Sequence, residues 1–128
     1  MHSERALPAI RRISEGDIRA VLGAQGIDAA DEQVAEMLDS AKRLDDAIAG
    51  LLEVGDLVLE DVARAGRDAS EADQQAMKSV IARVLEQIDA LLVVRTGVLV
   101  LGMPLDADAL QLVKVAQVTA AAVREAAL

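Results

Sequence analysis

The chain has 128 residues, of which 53% are apolar, and it carries a net charge of −9. It contains no Phe, Trp, Tyr or Cys, and its single histidine is His2. The high apolar content argues against disorder, and the missing residue types exclude disulfides, thiol nucleophiles and multi-histidine metal sites. Without aromatic stacking residues and with this negative charge, we expect no nucleic-acid partner.

No part of the chain resembles a targeting or membrane-spanning segment. Residues 1–13 contain three arginines but no continuous apolar stretch, so they do not resemble a secretory signal. The most apolar window, residues 90–105, is shorter than the ~20 residues that a membrane helix needs, and it contains Arg95. The sequence therefore predicts a cytoplasmic protein that is not integral to a membrane.

A short first helix is predicted from Ser14 to about Gly23, because Ser14 and Asp17 are typical of a capped helix start. Gly26 ends this segment, and Asp28 is placed to cap the next one. Residues 1–13 are predicted to form an arm that is either flexible or docked on an acidic face of a neighbouring subunit. Residues 14–128 are predicted to form a single domain.

The second segment has the strongest periodicity in the sequence. Apolar residues or glycine recur at alternating spacings of four and three, at Met37, Ala41, Leu44, Ile48, Leu51, Gly55, Val58, Val62 and Ala65. This spacing places all of them on one stripe of a helix. Because the pattern stays in phase through Gly50 and Gly55, it predicts one helix over about 30–65, roughly 50 Å long. The alternative is a kink or break near Gly55.

Acidic residues recur every seven positions in the same segment, at Glu32, Asp39, Asp46, Glu53 and Glu60. On a helix they lie on the side opposite the apolar stripe, and successive members are about 10 Å apart, too far to share one metal ion. We interpret this acidic face as a solvated outer surface. The alternative is a binding face for a basic partner.

Ser70 and Asp73 predict the start of a third helix after a turn at residues 66–68. From Leu91 to Leu101 the polar face of this helix almost disappears, so the segment must be covered on all sides. The alternative interpretation is a β-hairpin formed by residues 91–94 and 98–101. Gly102 and Pro104 predict the end of the third helix, and Asp106 predicts the cap of a fourth that runs almost to the end of the chain.

These segments predict an all-α fold, an antiparallel helical bundle of three long helices plus a short N-terminal helix. We expect oligomerisation to complete the bundle, because one chain does not have enough partners to cover the apolar segment. The partner is then a second copy in a homodimer, or a different protein. The predicted self-interface consists of Leu91, Leu92, Val94, Val98 and Leu101.

Arg95 falls in line with Ile81 and Ile88, so a helical segment directs its guanidinium into the apolar seam. A buried guanidinium needs an anion. Our hypothesis is a structural ion pair with an acidic residue of this chain or of a symmetry mate. The alternative is an anionic ligand or a partner's carboxylate, held by Arg95 together with a group of further polar residues, Arg83, Gln87 and Lys114.

No serine has a histidine or cysteine to activate it, and the glycines form no phosphate-binding loop. The sequence therefore predicts no catalytic residue, metal site or cofactor. The function that it favours is a non-enzymatic interaction or assembly subunit that acts through helix–helix association. The alternative is a small helical-bundle enzyme or binding protein for an anionic metabolite. A peripheral membrane protein ranks third, because an acidic face is repelled by anionic lipid.

Overall fold

The structure, a computed structural model, describes residues 10–65 and 68–127. It contains four helices, namely α1 (Glu15–Ala24), α2 (Asp31–Ala65), α3 (Glu71–Leu101) and α4 (Ala107–Ala127). The described residues include no β-strand, so the predicted all-α class is confirmed. The β-hairpin alternative is wrong, since α3 continues without a break to its last residue. Two residues of the predicted turn, 66 and 67, lie outside the described residues.

Side-chain caps begin three of the helices at the predicted positions. Ser14 and Asp17 form a reciprocal capping box at the start of α1. The Ser70 hydroxyl accepts a hydrogen bond from the backbone N–H of Asp73 at 3.1 Å. Asp106 accepts in the same way, at 2.8 Å, from the backbone N–H three residues further on, at the start of α4. These bonds satisfy backbone donors that have no partner within the helix.

Helix α3 ends at Gly102, whose φ of 63° lies in the left-handed region that favours glycine. Its N–H donates to the carbonyl of Val98, and the N–H of Met103 donates to the carbonyl of Gly97. This pattern is typical of a helix C-terminus closed by a left-handed residue. The Gln25 side chain donates to the carbonyl of Leu101, so the end of α1 holds the end of α3.

Helix α2 is the centre of the fold and packs against the other three helices. Its predicted apolar stripe forms the core, with Leu44, Ile48 and Leu51 at 0% exposure. The stripe fades near the end of the helix, where Val62 is 39% exposed. Both glycines of this segment, Gly50 and Gly55, lie within one continuous helix, as predicted, and the helix is not broken near Gly55. The four helices therefore pack directly against one another around a core with no aromatic residue.

Small residues bring α2 and α4 close together. A Cβ atom built at Gly50 lies 3.7 Å from the Cβ of Ala120, an ordinary van der Waals contact. Ala116 and Ala120 are both buried, as is Val113. Side chains of this size allow a close approach of helix backbones, which compensates for the missing large core residues.

Candidate functional site

A buried acidic residue of α2 partners the charged residue that interrupts the apolar face of α3. Asp45 is 1% exposed, and the Nε of Arg95 donates to its Oδ1 at 3.1 Å. The side chain of Arg95 is 16% exposed. The backbone N–H of Ile13 donates to the other carboxylate oxygen of Asp45 at 2.6 Å. Both oxygens therefore have a donor, as a buried carboxylate requires.

The same pair fixes the segment that precedes α1. The guanidinium of Arg95 also donates to the carbonyl oxygen of Arg11, and Ile13 is buried in the core. Arg12 lies 2.5 Å from Asp46 on the acidic face of this same chain. The described end of the predicted arm, residues 10–13, thus packs on its own bundle. Residues 1–9 of the arm lie outside the described residues.

Asp17 is the group whose ionisation is most altered by this segment. Arg11 donates to both of its carboxylate oxygens, at 3.0 and 3.2 Å, and the backbone N–H of Ser14 donates at 2.8 Å. The hydrogen bond from Arg11, followed by that from Ser14, lowers the pKa of Asp17 from 3.8 to about 2. The same contact with Asp17 raises the pKa of Arg11. The ion pair between Arg11 and Asp17 holds the segment before α1 against the first turn of that helix.

The sequence-based prediction included Arg95 but not Asp45, although each is a charged residue within a row of apolar residues spaced seven apart. Arg95 follows Ile81 and Ile88 at seven-residue intervals, and α2 has a parallel case. There the positions on either side of Asp45 at the same interval are all leucine, namely Leu38, Leu52 and Leu59. An acidic residue within a column of leucines indicates a buried charge.

The remaining ligand candidates do not surround Arg95. Arg83 and Gln87 line a groove of about 220 Å³ between α3 and α4, together with Glu86. The Oε1 of Gln87 is buried and has no hydrogen-bond partner among the described residues. Lys114 is exposed on α4 and does not line this groove. The four residues proposed to hold an anionic ligand therefore do not form one common site.

The acidic face is exposed, as its spacing predicts. Three of its members form ion pairs within the chain: Asp39 with Arg43 of the same helix, Asp46 with Arg12, and Glu53 with Arg124 of α4. The atom pairs lie between 2.5 and 3.5 Å apart. The two remaining members, Glu32 and Glu60, are exposed. Much of the charge on this face is thus neutralised by the chain's own arginines.

The residues predicted as a self-interface fall into three groups in the structure. Leu91 and Val98 are buried in the core of this chain. Leu92 and Val94 are partly buried against that core. Leu101 is 56% exposed. Most of the predicted interface is therefore covered by the chain itself, because α2 and α4 pack against α3 along this stretch.

The exposed apolar residues of the described chain are concentrated on α3, α4 and the loop between them. Eight of the ten large apolar residues that remain exposed lie in residues 85–118. Six of them line two adjoining grooves, and we call them the α3–α4 surface: Val93, Val100, Leu101, Met103, Leu112 and Val115. The larger groove has a volume of about 540 Å³, and Leu112 lines both grooves. Such a concentration differs from the scattered apolar residues of an ordinary surface.

Two further features are absent from the described part of the chain. It contains no cluster of three or more acidic or histidine side chains that is arranged to hold a metal ion. None of its helices combines the length and hydropathy that a membrane crossing requires. Comparison of the chain with protein-family models, with curated proteins and with solved structures found no match.

Proposed function

We propose that the protein is a non-enzymatic assembly subunit that associates with a second copy of itself through the α3–α4 surface. The observation that supports this proposal is the exposure of neighbouring valine and leucine side chains beside a groove of about 540 Å³. Val93 is 73% exposed and Val100 is 64% exposed. Covering such side chains removes apolar area from water, which is the main driving force of helix association in solution.

The shape of this surface also supports the proposal. The groove lies between two helices, and an amphipathic helix can insert its apolar side chains into such a groove. The floor is formed by residues fixed in the core, such as Val98 and Ala109. A surface with a rigid floor loses little conformational entropy when it is covered. In a symmetric dimer, each copy presents the same surface to the other.

The test is the mass of the protein in solution, measured by size-exclusion chromatography with light scattering. Concentration is followed by refractive index, because the chain has no aromatic residue. The monomer has a mass of 13.4 kDa, and we expect a dimer or larger assembly at micromolar concentration. A monomer under these conditions contradicts self-association and leaves a different protein as the partner.

A pair of variants assigns the interface. We expect Val93→Asp to dissociate the assembly, because it places a carboxylate within the apolar contact. The fold should be unaffected, because the side chain of Val93 is exposed and lies outside the core. Ala63→Asp is the control, since it adds the same charge at an exposed position of α2 outside this surface. Equal dissociation by both variants indicates a general effect of charge and contradicts the assignment of the interface.

A further inference from the structure

A second cleft, of about 430 Å³, lies between α1, α2, the end of α3 and the loop that leads to α4. Its floor consists of side chains buried in the core, namely Leu22, Met37, Ala41 and Val98. Its volume lies within the range of small-molecule sites, which combine an apolar lining with a few polar groups. The floor is held in place by the hydrogen bond from Gln25 to the end of α3.

The polar groups of this cleft all come from one side of α2. Gln33, Glu36 and Ser40 line the cleft at spacings of three and four residues, and every other lining residue is apolar or glycine. In the described part of the chain, none of these three side chains makes a hydrogen bond or ion pair. Thr96 of α3, which does not line this cleft, shows the contrasting case: its hydroxyl donates to the carbonyl of Leu92 one turn earlier, at 2.9 Å. The oxygens of the three residues are therefore available to a ligand.

The charge and chemistry of these groups select one kind of ligand. Among the described residues that line the cleft, Glu36 is the single charged one, and it is negative. A carboxylate, an amide oxygen and a hydroxyl oxygen are three acceptors, and a primary ammonium group has three donors and no acceptor. The apolar floor suits an aliphatic chain. The protein has no aromatic residue, so it lacks the rings that bind quaternary ammonium groups.

We propose that this cleft binds an aliphatic primary ammonium group. The ammonium contacts Glu36, assisted by Gln33 and Ser40, and the alkyl chain lies on Met37 and Val98. The same chemistry occurs in a free alkylamine and in the lysine side chain of a partner protein. The proposal does not rest on self-association through the α3–α4 surface, because the three polar groups that contact the ammonium lie on α2, outside that surface. Of the six residues of that surface, Met103 alone also lines this cleft.

The methionines provide a direct readout. Met37 lines this cleft and not the larger groove, so its signal is the decisive one, whereas Met103 lines both. Met77 lies on α3 beside a different pocket. With ¹³C-methyl methionine, addition of hexylamine at pH 7 is expected to shift the first two signals saturably and to leave that of Met77 unchanged. Hexanol and hexanoate have the same alkyl length without the cation, and we expect neither to give a saturable shift. Saturable binding of hexanol as tight as that of hexylamine, or no shift with hexylamine, overturns the proposal.

Two isosteric variants on α2 separate a local contact from the general field of an acidic protein. Glu36→Gln removes the carboxylate of the cleft, and we expect it to weaken hexylamine binding about fivefold, as for a partly exposed ion pair. Glu32→Gln changes the net charge equally at an exposed position that does not line the cleft, so we expect unchanged binding. Equal affinity of the two variants overturns the role of Glu36 and with it the proposal.

A second probe distinguishes the two sources of the ammonium group. Nα-acetyl-lysine N-methylamide presents a lysine side chain on a short peptide backbone. Binding of this probe as tight as that of hexylamine, with the same loss in Glu36→Gln, supports a partner's lysine. Binding of hexylamine alone supports a free alkylamine, because the backbone of the blocked lysine then does not fit the entrance.

Discussion

Asp45 of α2 and Arg95 of α3 form an ion pair between two helices, with Nε 3.1 Å from Oδ1, although 50 residues separate them in the chain. The pair also binds the backbone of the segment before α1, through the N–H of Ile13 and the carbonyl of Arg11. Three separate parts of the chain thus meet at one buried carboxylate. Breaking this contact affects the whole bundle.

We expect Asp45→Leu and Arg95→Met each to lower the free energy of unfolding by about 3–5 kcal/mol, because each leaves a largely buried partner without its counter-charge. The double variant is expected to lose less than the sum of the single variants, since neither charge then remains. Urea unfolding followed by far-UV circular dichroism, at one fixed protein concentration, measures these values.

Asp46→Asn is the control for this experiment. It removes the neighbouring carboxylate, whose pair with Arg12 is exposed on both sides. An exposed pair contributes no more than about 1 kcal/mol. A loss in Asp45→Leu as small as that in Asp46→Asn would show that the buried pair does not hold the bundle together.

The low pKa of Asp17 predicts a dependence of stability on acid. Because its pKa falls from 3.8 to about 2 on folding, its charge stabilises the folded state fully above pH 3.8. This contribution is lost as the pH falls through about 2. We expect Arg11→Gln to raise the pKa of Asp17 towards 3.8, since the hydrogen bond from Arg11 is the largest cause of the shift.

Carboxyl ¹³C NMR titration measures the pKa of Asp17 directly. Arg12→Gln is the matched control, because Arg12 pairs with Asp46 and not with Asp17. We expect this variant to leave the pKa of Asp17 unchanged. If Arg11→Gln also leaves it unchanged, Arg11 does not hold the carboxylate in solution.

Two glycine-to-alanine changes are expected to have opposite effects. Gly50→Ala should raise the free energy of unfolding by about 0.5–1 kcal/mol, since alanine favours a helix interior and the new Cβ meets only Ala120, at 3.7 Å. Gly102→Ala should lower it by about 1–2 kcal/mol, because the left-handed backbone strains a Cβ. That Cβ also lies 3.2 Å from a methyl of Leu22. Thermal and urea unfolding measure both changes in stability. Destabilisation by Gly50→Ala would show that the contact between α2 and α4 has no room for the added methyl group.

The start of α3 depends on its serine cap. We expect Ser70→Ala to destabilise the protein by about 1 kcal/mol, because the N–H of Asp73 loses its acceptor. Ser79→Ala, at an exposed position within the same helix, is the control and should have little effect. Equal unfolding midpoints for the two variants would show that the cap does not contribute.

The helices and most of their ends are predictable from local sequence signals alone. Caps at Ser14, Ser70 and Asp106 and the stop at Gly102 predicted the helix ends, because such signals act within a few residues along the chain. The seven-residue pattern predicted that α2 passes unbroken through Gly50, since periodicity is also a local property. These predictions needed no knowledge of how the helices pack.

Which residues contact each other across helices depends on the packing of the whole bundle. The partner of Arg95 depends on the register between α2 and α3, and the periodicity of one helix carries no information about its register against another. For the same reason the sequence did not separate Leu91, which the chain covers itself, from Val93, which remains exposed. A helix that is apolar on all sides has no periodicity that indicates which side is buried. The packing of the neighbouring helices determines which face stays exposed.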